Sequence, residues 1–197
     1  ATSVNAGTSI TVNAGAAETM GLDMSGSWQV NDNFNLRGSF SYTKAELTED
    51  VPDLVTTISP PGFGTVFEAG QSGDRLPGSP ETQFSLFGSY VYPLANGNDL
   101  TFDAGYAWQG DVFDEAGARG NSLTLPSYGR ASIAVGYDAD RWSATAYVDN
   151  LFDELAETSV AGNALFNQTI NGANVRSFRT NVLPPRTIGV RLNYKFE

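Results

Sequence analysis

The sequence predicts an all-β fold, an antiparallel transmembrane β-barrel segment of about seven strands with short turns and long loops. Three observations support this prediction. Apolar and polar residues alternate along each strand, short turns alternate with long connections, and aromatic residues gather at the strand ends. No run of apolar residues approaches the roughly 18 that a membrane-spanning helix needs, which leaves strands as the possible spans.

Composition excludes several classes of function. The 197 residues contain neither cysteine nor histidine, which removes disulfides, thiolate metal sites and histidine-based catalysis. The net charge of −11 argues against nucleic acid, which needs a basic surface. We therefore predict no enzyme, with no catalytic residues, no metal ligands and no cofactor.

The first two predicted strands form a hairpin around a turn at 31–33, after a small, polar stretch at 1–14 that fits a loop end or a weak strand. Every second residue of the hairpin strands is apolar or glycine: Leu22, Met24, Gly26, Trp28 and Val30, then Phe34, Leu36, Gly38, Phe40 and Tyr42. Because successive side chains of a strand point to opposite faces, each strand has one apolar and one polar side.

A long polar connection at 46–80 separates this hairpin from the next, which turns tightly at 95–98. The apolar sides of the third and fourth strands are Phe84, Leu86, Gly88, Tyr90 and Tyr92, then Leu100, Phe102, Ala104, Tyr106 and Trp108. A structureless loop of this length argues against a compact soluble domain, whereas the outer side of a membrane barrel commonly carries one.

A medium connection at 111–123 leads to the last three strands, which are separated by a tight turn at 138–140 and a long connection at 154–183. Their apolar sides are Ala131, Ile133, Val135 and Tyr137, then Trp142, Ala144, Ala146 and Val148, then Ile188, Val190, Leu192, Tyr194 and Phe196. Taken alone, the final strand fits a soluble sheet with one buried face equally well.

Together, the three observations favour the membrane barrel over a soluble sheet. The apolar sides contain no charged residue, and a charge at the lipid-facing midplane costs about 2–4 kcal/mol. Short and long connections alternate strictly, as periplasmic turns and extracellular loops do in outer-membrane barrels. Aromatic residues lie near the short turns (Trp28, Phe34, Tyr92, Tyr137, Trp142, Tyr194, Phe196) and near the long loops (Tyr42, Trp108). If the short turns are periplasmic, the C-terminus lies in the periplasm.

Four segments, in this order along the chain, resemble the C-terminal end of TonB-dependent outer-membrane receptors. They are Asn13-Ala14 with Gly21-Leu22-Asp23, the run at 73–80 (Gly-Asp-Arg-Leu-Pro-Gly-Ser-Pro), Asn150-Leu151-Phe152-Asp153, and Pro185-Arg186-Thr187-Ile188-Gly189. Asp23 stands where the family usually has Glu, and Glu197 follows the aromatic residue that usually ends such chains. Each motif is weak alone, but all four in the correct order are specific.

The resemblance implies that residues 1–197 are the C-terminal part of a barrel of about 22 strands, an incomplete barrel that lacks the N-terminal plug. It implies an outer-membrane receptor of a Gram-negative bacterium for TonB-dependent uptake of a siderophore or other scarce nutrient. The implied partners are outer-membrane lipid and lipopolysaccharide, the rest of the barrel and plug, and the TonB complex. The alternative is a self-standing eight-stranded barrel with a structural or adhesive role, in which residues 1–14 pair with the last strand.

On such a scaffold the loops carry function, and they contain our candidate ligand-binding residues. Aromatic stacking or anion binding is predicted for Phe63, Phe67, Arg75, Arg119, Arg176 and Arg179, with a solvated loop residue or a lipopolysaccharide contact as the alternative. An acidic cluster (Glu46, Glu49, Asp50, Asp53) lacks the spacing of a calcium loop and is interpreted as solvated. Charged residues on the polar sides should face the barrel lumen: Asp23, Arg37, Asp103, Arg130, Arg191 and Lys195.

Overall fold

A computed structural model describes residues 15–58, 65–119, 122–160, 168–170, 173–175 and 179–196 of the chain. The strands in this part of the chain are β1 (Ala17–Asn31), β2 (Phe34–Leu47), β3 (Val51–Ile58), β4 (Thr65–Gly70), β5 (Thr82–Pro93), β6 (Asp99–Gln109), β7 (Val112–Phe113), β8 (Thr124–Leu125), β9 (Tyr128–Asp138), β10 (Trp142–Asp149), β11 (Glu157–Val160), β12 (Gln168–Ile170), β13 (Ala173–Val175), β14 (Thr180–Val182) and β15 (Thr187–Tyr194). A 3₁₀ turn, Ala116–Ala118, lies between β7 and β8. In the described residues, no helix has the length and apolar character to cross a membrane.

Seven long strands form one antiparallel sheet in the order β1-β2-β5-β6-β9-β10-β15. The seven predicted strands and their three short turns are confirmed, and strand neighbours follow chain order throughout. Within the described residues the sheet is not closed, because β1 and β15 each pair on one side only. The predicted all-β, incomplete barrel is therefore confirmed. Residues 1–14, which the eight-stranded alternative needs, lie outside the described residues.

The strand register places all the apolar sides on one face. Met24 lies opposite Phe40, Phe40 opposite Phe84, and Phe84 opposite Trp108. Residues directly opposite each other share a face, so the apolar side continues from strand to strand. This face is largely exposed: Leu192, for example, retains 73% of its accessible surface. An apolar face that covers all seven strands and packs on no other described part of the chain is what lipid contact requires.

The opposite face is polar and partly hydrogen-bonded across strands. Ser39 Oγ lies 2.7 Å from Ser85 Oγ, and the Ser41 hydroxyl donates to the Asp23 carboxylate. The register also places Arg37, Asp103, Arg130 and Arg191 on this face, opposite Ser27, Ser89, Ala107 and Thr145 respectively. Lys195 follows the end of β15, where its N–H donates to Arg141 O.

The buried apolar residues lie at the end of the sheet where the long connections are. In the described part of the chain they are Leu47, Val51, Ala116, Leu125, Ala131, Ala156 and Leu183. The composition of the long connections predicted polar loops without regular structure. Instead, they contain the hairpins β3–β4, β7–β8 and β12–β13 and the pair β11–β14. We call this packed end of the sheet the rim.

Candidate ligand-binding rim

The first part of the rim is the strap, which we define as residues 71–81. It runs antiparallel to the end of β2 that lies at the rim, beyond the last β2 residue that pairs with β5. Leu76 N–H donates to Ala45 O at 2.8 Å, and Leu47 N–H donates to Asp74 O at 2.9 Å. Its prolines cannot donate to a ladder, so the strap bonds to β2 at intervals and forms no regular strand.

Glycines fix the path of the strap. Gly73 and Gly78 have φ values of 89° and 92°, in the region that glycine occupies at little cost. Both glycines belong to the run at 73–80, one of the four segments that resemble TonB-dependent receptors. The motif therefore specifies a backbone path along β2.

Arg75 lies in the middle of the strap and reaches into the connection after β6. Its Nη1 donates to Asp111 Oδ2 at 2.9 Å, and its Nη2 donates to Asp111 O at 2.6 Å and to Ser79 O at 3.1 Å. The guanidinium also lies 4.6 Å from the ring centroid of Phe113, within the range of a cation–π contact. With 15% of its side chain exposed, Arg75 is largely engaged within the chain.

We define the arm as residues 110–119, the segment that receives Arg75. A second ion pair joins it to the strap, between Arg119 and the Asp74 carboxylate, which also accepts from Gln71 N–H at 2.8 Å. Gly117, with φ of 66°, donates its N–H to Arg75 O at 3.1 Å. A methyl group at this position would lie 2.7 Å from Asp74 Oδ1, so a larger residue would displace the Asp74 carboxylate that pairs with Arg119.

Asp114 lies at the start of the turn in the arm. Its Oδ2 is buried and has no hydrogen-bond partner among the described residues. Burial raises the pKa of Asp114, because removing a carboxylate from water disfavours its charged form.

A groove of about 590 Å³ opens on the polar face just below the rim. Its polar lining consists of hydroxyl, amide and phenol groups with one carboxylate and one guanidinium, from residues that include Ser41, Gln83, Gln109, Tyr128, Asp23 and Arg130. Such a surface offers both hydrogen-bond donors and hydrogen-bond acceptors, and it has little net charge.

Comparison with known proteins identifies the family. A model of the family described as "TonB dependent receptor-like, beta-barrel" matches residues 1–151, which is more than half of the chain. The chain belongs to this family. No curated protein matches the chain.

Among solved structures, this receptor-barrel chain is similar to the ferric yersiniabactin uptake receptor FyuA from Yersinia pestis. The TM-score is 0.67 at 18% identity, and the match covers 94% of this chain and 24% of FyuA. At this identity the likeness shows the fold alone. The receptor-barrel chain spans about a quarter of the length of FyuA.

The structure brings two of the predicted ligand-binding residues of this receptor barrel together at the rim, Arg75 and Arg119. Arg179 is exposed just before β14. Phe67 lies in β4, where only the main chain is described, and Phe63 and Arg176 lie outside the described residues. Ligand contact stays a prediction for all six residues.

Two members of the acidic cluster hold the main chain of the receptor barrel at the base of the β3–β4 hairpin. Glu49 Oε1 accepts from Ala16 N–H at 2.8 Å, and Asp50 Oδ1 accepts from Ser72 N–H at 2.9 Å. Within the part of the chain that the structure describes, no three acidic side chains are grouped closely enough to hold a metal ion.

Proposed function

We propose that the chain is part of the barrel of an outer-membrane receptor that binds a scarce nutrient, such as a ferric siderophore, and imports it with energy supplied through TonB. The observation that carries the proposal is the asymmetry of the sheet. One face is apolar and exposed on all seven strands, and the packed connections lie at one end of it. Family membership and the likeness to FyuA, which is named as an uptake receptor, support it.

In this proposal the rim faces the outside of the cell and the short turns face the periplasm, as does the C-terminus. The apolar face then contacts lipid, and the outward-facing residues near the rim contact lipopolysaccharide. Lys44 and Glu46 follow Tyr42 on that same face and form an ion pair at 2.9 Å, which we propose lies at the level of the lipid headgroups. The polar face lines the lumen and contacts the plug.

The receptor changes no bond of its ligand, so its residues need only bind and release. We assign ligand binding to the long connections, with Phe63, Phe67, Arg75, Arg119, Arg176 and Arg179 as candidates. Transport further requires the plug, its contact with TonB and the remaining barrel strands. No cofactor is needed for this role.

Orientation is tested with single cysteines in the receptor expressed in its own outer membrane. Arg179→Cys at the rim should react with a membrane-impermeant maleimide in intact cells, whereas Asn96→Cys in a short turn should react only after the outer membrane is permeabilised. The reverse pattern would exclude the proposed orientation. Labelling of both without permeabilisation would exclude a membrane-spanning sheet.

Uptake is tested in cells that lack the receptor gene. Import of radiolabelled ferric siderophores should fall in the deletion strain, return with the wild-type gene, and be lost again when tonB is deleted. If import of every siderophore tested is unchanged, the assigned substrate class is wrong. If import depends on the receptor but not on TonB, the assigned energy coupling is wrong.

A further inference from the structure

The strap and the arm are far apart in sequence but are joined by contacts of several kinds. Side-chain ion pairs connect Arg75 with Asp111 and Arg119 with Asp74. Main-chain hydrogen bonds connect Gly117 N–H with Arg75 O and Gly78 N–H with Phe113 O at 3.0 Å. Each segment both donates and accepts a main-chain hydrogen bond, so the strap and the arm are bonded to each other in both directions.

The position of Arg75 makes it the centre of this contact. Its guanidinium binds the side chain and the main chain of Asp111, and it lies over the Phe113 ring. Charge-assisted bonds of a planar guanidinium are stronger than neutral ones and fix orientation as well as distance. Loss of the guanidinium would leave the Asp111 carboxylate, whose side chain is 48% exposed, without its cation and would also remove the hydrogen bond to Asp111 O.

We propose that Arg75 is a positioning residue that locks the strap and the arm into one clamp, so that the connections after β2 and after β6 move as a single unit. The base of the β3–β4 hairpin belongs to the same unit, since Gly73 N–H donates to Leu47 O and Leu47 and Val51 are buried there. A ligand that displaces either connection then displaces both. This last consequence rests on the proposed function, whereas the clamp itself does not.

The clamp is tested by hydrogen–deuterium exchange of the intact receptor in detergent, without ligand. The variants are Arg75→Gln, Asp111→Asn and the double variant, with Arg179→Gln as a matched control at an exposed rim arginine. We expect Arg75→Gln to raise exchange about tenfold or more in peptides from both 71–81 and 110–119, and Arg179→Gln to leave both unchanged. Because Arg75→Gln already removes the cation that the Asp111 side chain binds, the double variant should not exceed Arg75→Gln.

The proposal is overturned if Arg75→Gln raises exchange in 71–81 alone, or if the effects of Arg75→Gln and Asp111→Asn add. Folding is checked by the heat-dependent shift of folded barrels on electrophoresis. If Arg75→Gln does not fold, Arg75→Lys supplies the readout, since it keeps the charge but cannot bind Asp111 with two nitrogens. Its exchange in 110–119 should lie between those of the wild type and Asp111→Asn, and wild-type exchange there would also overturn the proposal.

Failure of the clamp and failure of the proposed function are distinguishable. Exchange without ligand reports on the clamp alone, whatever the receptor imports. If ferric siderophore uptake is absent but both segments lose protection together in Arg75→Gln, the clamp stands and the substrate class fails. If uptake is normal but the segments lose protection separately, the receptor function stands and the clamp fails.

Discussion

The side-chain amide of Asn150 donates a 3.0 Å hydrogen bond to the carbonyl oxygen of Pro184, which joins the two ends of the connection between β10 and β15. The same Nδ2 donates to Glu154 O at 2.9 Å, and Oδ1 accepts from Glu154 N–H at 2.9 Å. Asn150 is 2% exposed and has φ of 50°. Three residues later, Asp153 Oδ1 accepts from Arg186 N–H at 2.8 Å. The Asn-Leu-Phe-Asp motif thus fastens the segment that leads into the last strand.

Replacing Asn150 separates the contribution of its side-chain hydrogen bonds from that of its left-handed backbone. Asn150→Gly keeps the left-handed backbone and loses the three hydrogen bonds, while Asn150→Ala loses the bonds and also strains the backbone. We expect Asn150→Gly to destabilise the receptor by about 2–4 kcal/mol, and Asn150→Ala by roughly 1 kcal/mol more. Urea unfolding of the receptor in lipid vesicles measures both.

Asn181→Ala is the matched control, because Asn181 Nδ2 also donates a hydrogen bond, to Ser159 Oγ at 2.8 Å, but at an exposed site. It should change the free energy of unfolding by less than about 1 kcal/mol. Equal stability of Asn150→Gly and wild type would show that the buried amide contributes nothing.

Two glycines of β1 should respond oppositely to alanine. A Cβ atom at Gly21 would lie 2.4 Å from the carbonyl oxygen of Tyr42 on the neighbouring strand, whereas one at Gly26 would meet nothing within 4 Å. Since a backbone atom cannot move aside as a side chain does, we expect Gly21→Ala to destabilise the receptor by about 1–3 kcal/mol.

Gly26→Ala should leave stability unchanged or raise it slightly, because alanine loses less backbone entropy than glycine. Both variants are compared by urea unfolding in the same vesicles. A ranking in which Gly26→Ala is the less stable of the two would contradict the register of β1 with β2.

The sheet could be predicted from the sequence because lipid enforces alternation. A strand such as β15 must keep Ile188, Val190 and Leu192 apolar on its exposed side, and that pattern is visible in any one strand. The turns were predictable for a similar local reason, since tight turns select asparagine, aspartate and glycine.

The rim could not be predicted in this way, because its contacts join residues that are distant in sequence. Arg75 and Asp111 are 36 positions apart, and neither position shows a periodic pattern. From sequence alone, an arginine in a polar loop is interpreted as available for ligand binding. In the structure, Arg75 and Arg119 both have carboxylate partners in the chain. The available signal was the spacing of Gly73 and Gly78 within the motif at 73–80, which marks a fixed backbone.

A charge should be tolerated on one face of β9 and not on the other. Val135 lies on the apolar face opposite Phe102, while Ala134 lies on the polar face opposite Asp103. We expect Val135→Arg to cost about 2–4 kcal/mol in lipid vesicles, because the guanidinium enters hydrocarbon. Ala134→Arg, its neighbour and control, should cost less than half as much, since Asp103 lies across from it. Equal costs would show that the apolar face is not lipid-facing.

The arm should be sensitive to pH through Asp114. Burial raises the pKa of this carboxyl above its ordinary value of 3.8, so the folded arm binds the proton more tightly than the unfolded arm does. The ionised group therefore destabilises the arm at neutral pH. This penalty is relieved as pH falls through the raised pKa and is absent below about 3.8.

Asp114→Asn carries a neutral side chain at every pH and should mimic the protonated acid. With exchange rates corrected for their intrinsic pH dependence, peptides from 110–119 should be better protected in Asp114→Asn than in wild type at pH 7, and equally protected near pH 3.5. The ion pairs of Arg75 and Arg119 are present in both proteins, so their own response to pH cancels in the comparison. Asp32→Asn, in an exposed turn at the opposite end of the sheet, should show no difference in 110–119 at either pH. An offset between Asp114→Asn and wild type that persists unchanged at pH 3.5 would assign the effect to packing of the amide and not to ionisation of Asp114.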